Sequence, residues 1–116
     1  MNWHALTTEA QIDDIIAASH KHPVVIFKHS TRCSISSTAK SRLERTWDIP
    51  ADTVEAYYLD LLAYRAISNA VATRFAVHHE SPQLLLIIAG ECPYVESQLG
   101  INVAELKEQI AIASAA

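Results

Sequence analysis

The run Val24-Val25-Ile26-Phe27, continued by Lys28 and His29, limits the fold more than any other stretch of the chain. It is β-branched and unbroken, with no polar residue at alternate positions until Lys28. That pattern suits a strand buried on both faces, whereas a half-exposed strand alternates apolar and polar side chains. Such a strand lies inside a sheet, and helices packed on both faces cover it. "LLLIIA", Leu84 to Ala89, repeats the pattern and reads as another buried strand. It is far too short to cross a bilayer as a helix.

Helical patterns separate these strands. "TTEAQIDDIIAAS", Thr7 to Ser19, opens on a Thr8/Gln11 capping box and puts Ile12, Ile15, Ile16 and Ser19 on one face. From Cys33 to about Trp47 apolar residues recur every four positions, at Ile35, Ala39, Leu43 and Trp47, with Lys40, Arg42 and Glu44 on the polar side. "TVEAYYLDL" reads as a strand, and "YRAISNAVATRF" as a helix with Ile67, Ala70, Val71 and Phe75 inward. After "LLLIIA" comes a tight turn at "GE", then "CPYVES" as a fourth strand. Pro93 has no N–H and puts that strand at an edge. "NVAELKEQIAI" closes the pattern, with an Asn102/Glu105 capping box and Val103, Leu106 and Ile110 buried; the final "IASAA" is expected to fray.

The predicted order is therefore α-β-α-β-α-β-β-α. The early β-α-β is a right-handed parallel unit, and the late β-β is a hairpin. Joined through a helix they give an α/β fold, a thioredoxin-like central four-stranded mixed sheet flanked by helices. A chain of 116 residues, half of them hydrophobic, is expected to form one such domain over residues 1–116. A net charge of −4, with no dense basic cluster, argues against nucleic acid or an anionic membrane as partner. The N-terminal stretch lacks the basic and apolar regions of a signal peptide. Two cysteines make no disulfide framework. The expected location is cytoplasmic, with free thiols.

Cys33 stands where the buried strand gives way to a helix. Free N–H groups and a partial positive charge at a helix start stabilise a thiolate and lower its pKa below the free value of about 8.5. With Ile35 marking the buried face, Cys33 is expected at an exposed tip. The bland alternative is a buried, inert thiol. Ser36 completes a Cys-x-x-Ser pattern. It cannot resolve a mixed disulfide as a second cysteine would, but its hydroxyl can donate a hydrogen bond to the Cys33 thiolate; otherwise it is a helix-surface serine. Ser81-Pro82, just before a buried strand, is where this architecture places a cis proline, bringing backbone groups beside the cysteine to pair with an extended substrate. An ordinary trans proline opening the strand is the alternative.

"HSTRCSIS", "SNAVATRF" and "HESPQ" resemble the monothiol bacilliredoxins, the YtxJ-like branch of the thioredoxin superfamily. The resemblance runs from about Pro23 to Ile110. The family motif is commonly T-C-P-I-S; here Arg32 is inserted between Thr31 and Cys33, and Ser34 stands in the place of proline. The resemblance implies exchange of bacillithiol mixed disulfides on S-thiolated client proteins, with Cys33 as nucleophile. Cys33 and Ser36 are then the expected catalytic pair. Thr31, Arg32, Ser34, Ser81, Pro82 and Gln83 are the expected substrate-binding residues. A small thiol is the co-substrate, and no metal or organic cofactor is expected. A non-catalytic thioredoxin-like module that holds a partner in the proline groove remains the alternative.

Cys92 is a candidate resolving thiol only if it can reach Cys33. It follows the turn at the far end of a six-residue strand, roughly 20 Å away at ~3.3 Å per residue. A disulfide needs Cα atoms within about 7 Å, so Cys92 is expected to be structural. The pairs His20/His22 and His78-His79 lack zinc-ligand spacing. His29 and His79 either line the thiol site or sit in solvent-exposed loops.

Overall fold

A computed structural model describes residues 1–114. The elements run β1 Trp3–Ala5, α1 Ala10–Ser19, β2 Val24–His29, α2 Ser34–Thr46, β3 Glu55–Asp60, α3 Arg65–Arg74, β4 Gln83–Ile88, β5 Glu91–Ser97, a 3-10 turn Gln98–Gly100 and α4 Val103–Ser114. They form a thioredoxin-like α/β fold. α4 carries the expected final helix to Ser114, and Ala115 and Ala116 of the segment expected to fray lie outside the described residues.

The sheet has five strands, not four, in the order β1-β3-β2-β4-β5. β1, β3 and β2 are parallel, while β4 runs antiparallel to both β2 and β5. The unforeseen strand is β1. Three residues, Trp-His-Ala, are too few to show a period. Contact makes the strand: Trp3 packs on Phe27 and Tyr58, and its indole N–H donates to Glu44 at 2.8 Å. Leu6, just beyond it, is fully buried.

β2 is buried at every position from Val24 to His29, as the unbroken apolar run predicts. Its alternation assigns the two cores. Val25 and Phe27 join Leu84 and Leu86 against Ala39 and Leu43 of α2 and Val103 and Leu106 of α4. Val24 and Ile26 join Leu85 and Ile87 against Ile12 and Ile15 of α1 and Val71 of α3. Burying a large aliphatic side chain is worth roughly 1.5–3 kcal/mol, so the two faces of this central strand pair carry much of the fold's stability.

The Thr8/Gln11 pair bonds reciprocally ahead of the Glu9 N-cap, whereas the Asn102/Glu105 box is half formed, Glu105 Oε1 accepting from Gln109 Nε2 at 3.2 Å. Gln11 N–H reaches Thr8 Oγ1 at 3.4 Å and Thr8 N–H reaches Gln11 Oε1 at 3.0 Å, while Asn102 Oδ1 accepts Glu105 N–H at 2.8 Å. The hairpin turns at Ala89-Gly90, both with positive φ (53° and 81°), as a two-residue primed turn requires. Ser19 ties it down, accepting Ala89 N–H on its carbonyl and Gly90 N–H on its hydroxyl.

One helix face differs from its pattern. Periodicity puts Ile35 in the core, yet it is 40% exposed, whereas Ser36 is fully buried. Ala39 and Leu43 are inward as expected, and at about 100° per residue Ser36 lies closer than Ile35 to the direction they share. Hydrogen bonds of the Ser36 hydroxyl with Ser30 and His29 satisfy it there. On α3, Val71 and Phe75 are buried with Ser68, while Ile67 and Ala70 are only partly buried.

Lys28 is fully buried on β2, and among the described residues no carboxylate forms a salt bridge with it. Its Nζ donates to the Ser68 carbonyl at 3.2 Å and lies 3.3 Å from His79 Nδ1. Burial lowers its pKa from 10.5 to about 8. The unfolded chain therefore holds this proton up to about pH 10, where the folded chain has released it near pH 8. Stability should rise with pH through that window, by about 3 kcal/mol at most at 1.36 kcal/mol per unit. Urea unfolding of the wild type and of Lys28→Met between pH 7 and 10 tests this. The wild-type-minus-variant difference should climb across the series, and a flat difference would show that Lys28 does not titrate there.

Candidate functional site

β2 leads directly into the site. Cys33 is the N-cap of α2, in extended conformation, and is half-buried; the exposed tip expected for it assumed Ile35 pointed inward. Its N–H donates to the Ser30 carbonyl at 3.1 Å, and its carbonyl accepts Ser37 N–H at 3.0 Å. The tight turn Ser30–Cys33 thus hands the chain from strand to helix. Thr31, Arg32 and Ser34 are arrayed around the cysteine, with Thr31 and Arg32 exposed and Ser34 exposed beside them.

Ser36 lies one turn further on, with its hydroxyl inside the protein. Ser30 N–H donates to Ser36 Oγ at 3.0 Å, and His29 Nδ1 lies 2.6 Å from the same oxygen. It is not a surface serine. Among the described residues its hydrogen bonds go to His29 and Ser30, with none to the Cys33 sulfur, so the direct thiolate bond expected from the sequence is replaced by a tie between α2 and the last residue of β2.

His29 is 6% exposed, stacked at 6.1 Å from Phe27 and tilted at 5.7 Å against Tyr58. Burial lowers its pKa first, and Lys40 adds to this. Asp60, the Ser36 bond and Glu44 oppose the shift. Lys40 is held by Glu44 at 2.9 Å and sits 5.4 Å over the Tyr58 ring.

The second wall is the Ser81-Pro82 loop, whose peptide bond is cis. Gln83 pairs with Lys28 across β4 and β2, so Pro82 follows the ladder out beside His29 at the same end of the sheet. Pro82 is buried and Ser81 half-buried, its hydroxyl buried without a partner among the described residues. Gln83 was expected to contact substrate. It is 1% exposed and donates from Nε2 to the His78 carbonyl at 2.9 Å, so it braces the loop from within.

The third wall is the 3-10 turn after β5. Gln98 N–H donates to the Pro82 carbonyl at 3.0 Å. Arg42 of α2 clasps the turn by donating to the carbonyls of Leu99 at 2.7 Å and Ile101 at 2.9 Å. Leu99 and Ile35 are the exposed apolar side chains on these two elements.

Cys92 stands at the opposite end of β4. It is one residue past the Ile88–Glu91 rung beside the hairpin turn, whereas Gln83 pairs with Ser97 at the site end. Its thiol is half-buried and donates to the Tyr94 carbonyl at 3.3 Å. Burial raises its pKa, opposed by backbone hydrogen bonding. The register keeps it from Cys33, as the strand length predicts.

Sequence reasoning placed Cys33, Ser36 and the proline loop together. It missed that His29 and Lys28 are both buried at the root of the site. The signal was the run "VVIFKH" itself: alternation puts Lys28 on the α1/α3 face and His29 on the α2/α4 face.

Known proteins share this fold. A structure described as a putative oxidoreductase with a thioredoxin fold superposes with a TM-score of 0.77 at 28% identity, over 90% of this chain and 90% of that one. Thioredoxin from Malassezia sympodialis gives 0.73 at 18% identity, over 97% and 91%. Fasciola hepatica thioredoxin gives 0.69 at 18%, over 94% and 97%. The two thioredoxins are similar in fold alone. The family model described as monothiol bacilliredoxin BrxC matches residues 4–106, so the chain belongs to that family of thioredoxin-fold oxidoreductases.

Proposed function

We propose that this protein removes a low-molecular-weight thiol, bacillithiol by its family, from mixed disulfides on client proteins, using Cys33 as a single nucleophile. The observation that carries the reading is the pairing at the start of α2. A half-buried cysteine caps the helix, and the position three residues on holds a fully buried serine. The cysteine meets the positive end of the helix. The serine offers no sulfur for an internal disulfide.

The exchange balances without a cofactor. The Cys33 thiolate attacks the small-thiol sulfur of the client disulfide. The client sulfur leaves as a thiolate and takes up a proton. Cys33 then carries the small thiol as a mixed disulfide. A second small thiol, as its thiolate, attacks the carried sulfur. It leaves as a symmetric disulfide and returns the Cys33 thiolate. The surface around Cys33 supports recognition: Thr31, Arg32 and Ser34 are exposed, and the Ser81-Pro82 loop offers an edge to an extended segment. The chemistry suits a reducing compartment such as the cytoplasm, where free thiols persist.

Intact mass after incubation with oxidised bacillithiol, glutathione or coenzyme A tests the reading. One small-thiol adduct should load on the wild type and on Cys92→Ser, and none on Cys33→Ser, whose hydroxyl does not ionise near neutral pH. Release of thiol from a bacillithiolated client should follow the same order. Loss of loading in Cys92→Ser alone would make Cys92 the working thiol. A client that binds tightly while Cys33 never loads would favour a non-catalytic binding module.

Ser36→Cys should convert the chemistry. Cys33 at the N-cap and position 36 in the first turn of α2 have the spacing of a Cys-x-x-Cys site, so a disulfide from Cys33 to the thiol introduced by this substitution is expected. The oxidised variant should lose the mass of two hydrogens and expel the loaded small thiol without a second one. A variant that instead accumulates the Cys33 adduct would show that the buried position cannot be drawn out to the sulfur.

A further inference from the structure

We propose that Lys28 is a positioning residue for client exchange: with its rung partner Gln83 it fixes His78 and His79, and so sets where the Ser81-Pro82 loop stands at the Cys33 end of the sheet. The inference rests on the reading of that loop as the edge that receives a client, and deepens it.

Lys28 of β2 and Gln83 of β4 are paired across the sheet, and both are buried. Both reach into the same loop. Gln83 Nε2 donates to the His78 carbonyl at 2.9 Å, and Lys28 Nζ lies 3.3 Å from Nδ1 of the next residue, His79. Ser81 and Pro82 follow directly after Glu80. On the other side, Gln98 N–H donates to the Pro82 carbonyl at 3.0 Å. The rung thus ties the loop at its entry and the 3-10 turn ties it at its exit.

The chemistry of the pair fixes its state. An ammonium group donates and cannot accept, so His79 Nδ1 is the acceptor and the ring proton lies on Nε2. Lys28 Nζ also donates to the Ser68 carbonyl at 3.2 Å, and Ser68 Oγ lies 3.4 Å from the same His79 nitrogen. One point therefore joins β2, α3 and the loop. A charged imidazole is disfavoured there. Burial lowers the His79 pKa first, and Lys28 from β2, Arg65 from α3 and His78 beside it lower it further, while Glu80 opposes.

An apolar side chain of similar length would fill the α1/α3 face without desolvating a charge. What the ammonium adds is a directed bond to the loop. That bond is charge-assisted below the lysine's pKa of about 8, and hence at neutral pH.

The test compares two reactions of Cys33 at neutral pH in a Cys92→Ser background. Alkylation by iodoacetamide needs only the sulfur. Removal of bacillithiol from a short peptide disulfide needs the loop as well. In Lys28→Met alkylation should be unchanged, and peptide exchange should fall about tenfold, as expected for one charge-assisted hydrogen bond. His79→Leu should fall by a similar factor, and the double variant no further, because both substitutions remove one interaction. His79→Gln offers an amide oxygen in place of Nδ1 and should keep exchange near that of the background protein. Nitrogen NMR of the background protein should show His79 neutral with its proton on Nε2, and the His79 titration midpoint should rise in Lys28→Met. Unchanged peptide exchange in Lys28→Met, an equal loss of alkylation and exchange, additive losses in the double variant or an unmoved His79 midpoint would each overturn the inference and leave the exchange chemistry standing. If His79→Leu does not fold, Lys28→Met and His79→Gln decide alone. A background protein that transfers no bacillithiol, with the His79 shift present, would count against the exchange reading instead. Peptide affinity then takes the place of exchange rate, and an affinity unchanged in Lys28→Met would overturn the inference.

Discussion

Burial of the β2–β4 strand pair on both faces is the constraint from which the rest follows. Apolar residues satisfy it from Val24 to Phe27 and from Leu84 to Ile87, but both strands reach their site end still buried and with polar side chains: Lys28, His29 and Gln83. A buried polar group without a partner costs about 1–3 kcal/mol. Each of these three finds a partner outside its strand, though Gln83 Oε1 has none among the described residues. Lys28 bonds the Ser68 carbonyl on α3, His29 bonds Ser36 on α2, and Gln83 bonds the His78 carbonyl ahead of the proline loop. The requirement to satisfy the strand ends fastens the helices and the loop that make the site. The geometry around Cys33 is to that extent a by-product of finishing the core.

The same constraint explains what could be read from the sequence. Both buried strands, the helix caps, the hairpin and the junction at Cys33 are encoded locally, by period, capping residues and an apolar run that stops. β1 is not. Trp3 to Ala5 form a strand because β3 offers an open edge and Phe27, Tyr58 and Glu44 offer contacts to Trp3, and all of these are distant in sequence. The burial of Ser36 in place of Ile35 was hidden for a related reason. Hydrophobicity alone ranks Ile35 above Ser36 for the core. The decision depends on His29 and the Ser30 N–H, which the turn folds back against the helix. Adjacency to Pro82 points Gln83 toward the substrate; the β-ladder instead places it opposite Lys28, inside the sheet.

The two cysteines illustrate how position on one sheet separates chemistry. Cys33 sits at a helix start, where peptide dipoles favour an anion. Cys92 sits on an edge strand beside the hairpin, with burial opposing ionisation and a carbonyl accepting its proton. The first environment suits a nucleophile and the second a small apolar side chain. The exposed Ile35 on α2 and Leu99 on the 3-10 turn lie at the Cys33 end, and Arg42 of α2 bonds the Leu99 carbonyl.

Ser36 bears on why the proposed chemistry uses a single thiol. A hydroxyl at this position accepts a backbone N–H at 3.0 Å and meets an imidazole nitrogen at 2.6 Å, and so closes the turn that presents Cys33. Sulfur is a weak hydrogen-bond acceptor, and a thiol in the same place would leave Ser30 N–H and His29 poorly satisfied. A second cysteine would provide an internal route to resolution and loosen the strand-to-helix turn. Serine gives up that route and keeps the turn fixed. On the proposed exchange, turnover would depend on an outside thiol, and its rate would follow the supply of that thiol. The monothiol pattern is therefore a structural choice as much as a chemical one. The hydroxyl that cannot form a disulfide is also the group best suited to hold His29, Ser30 and the start of α2 in one arrangement.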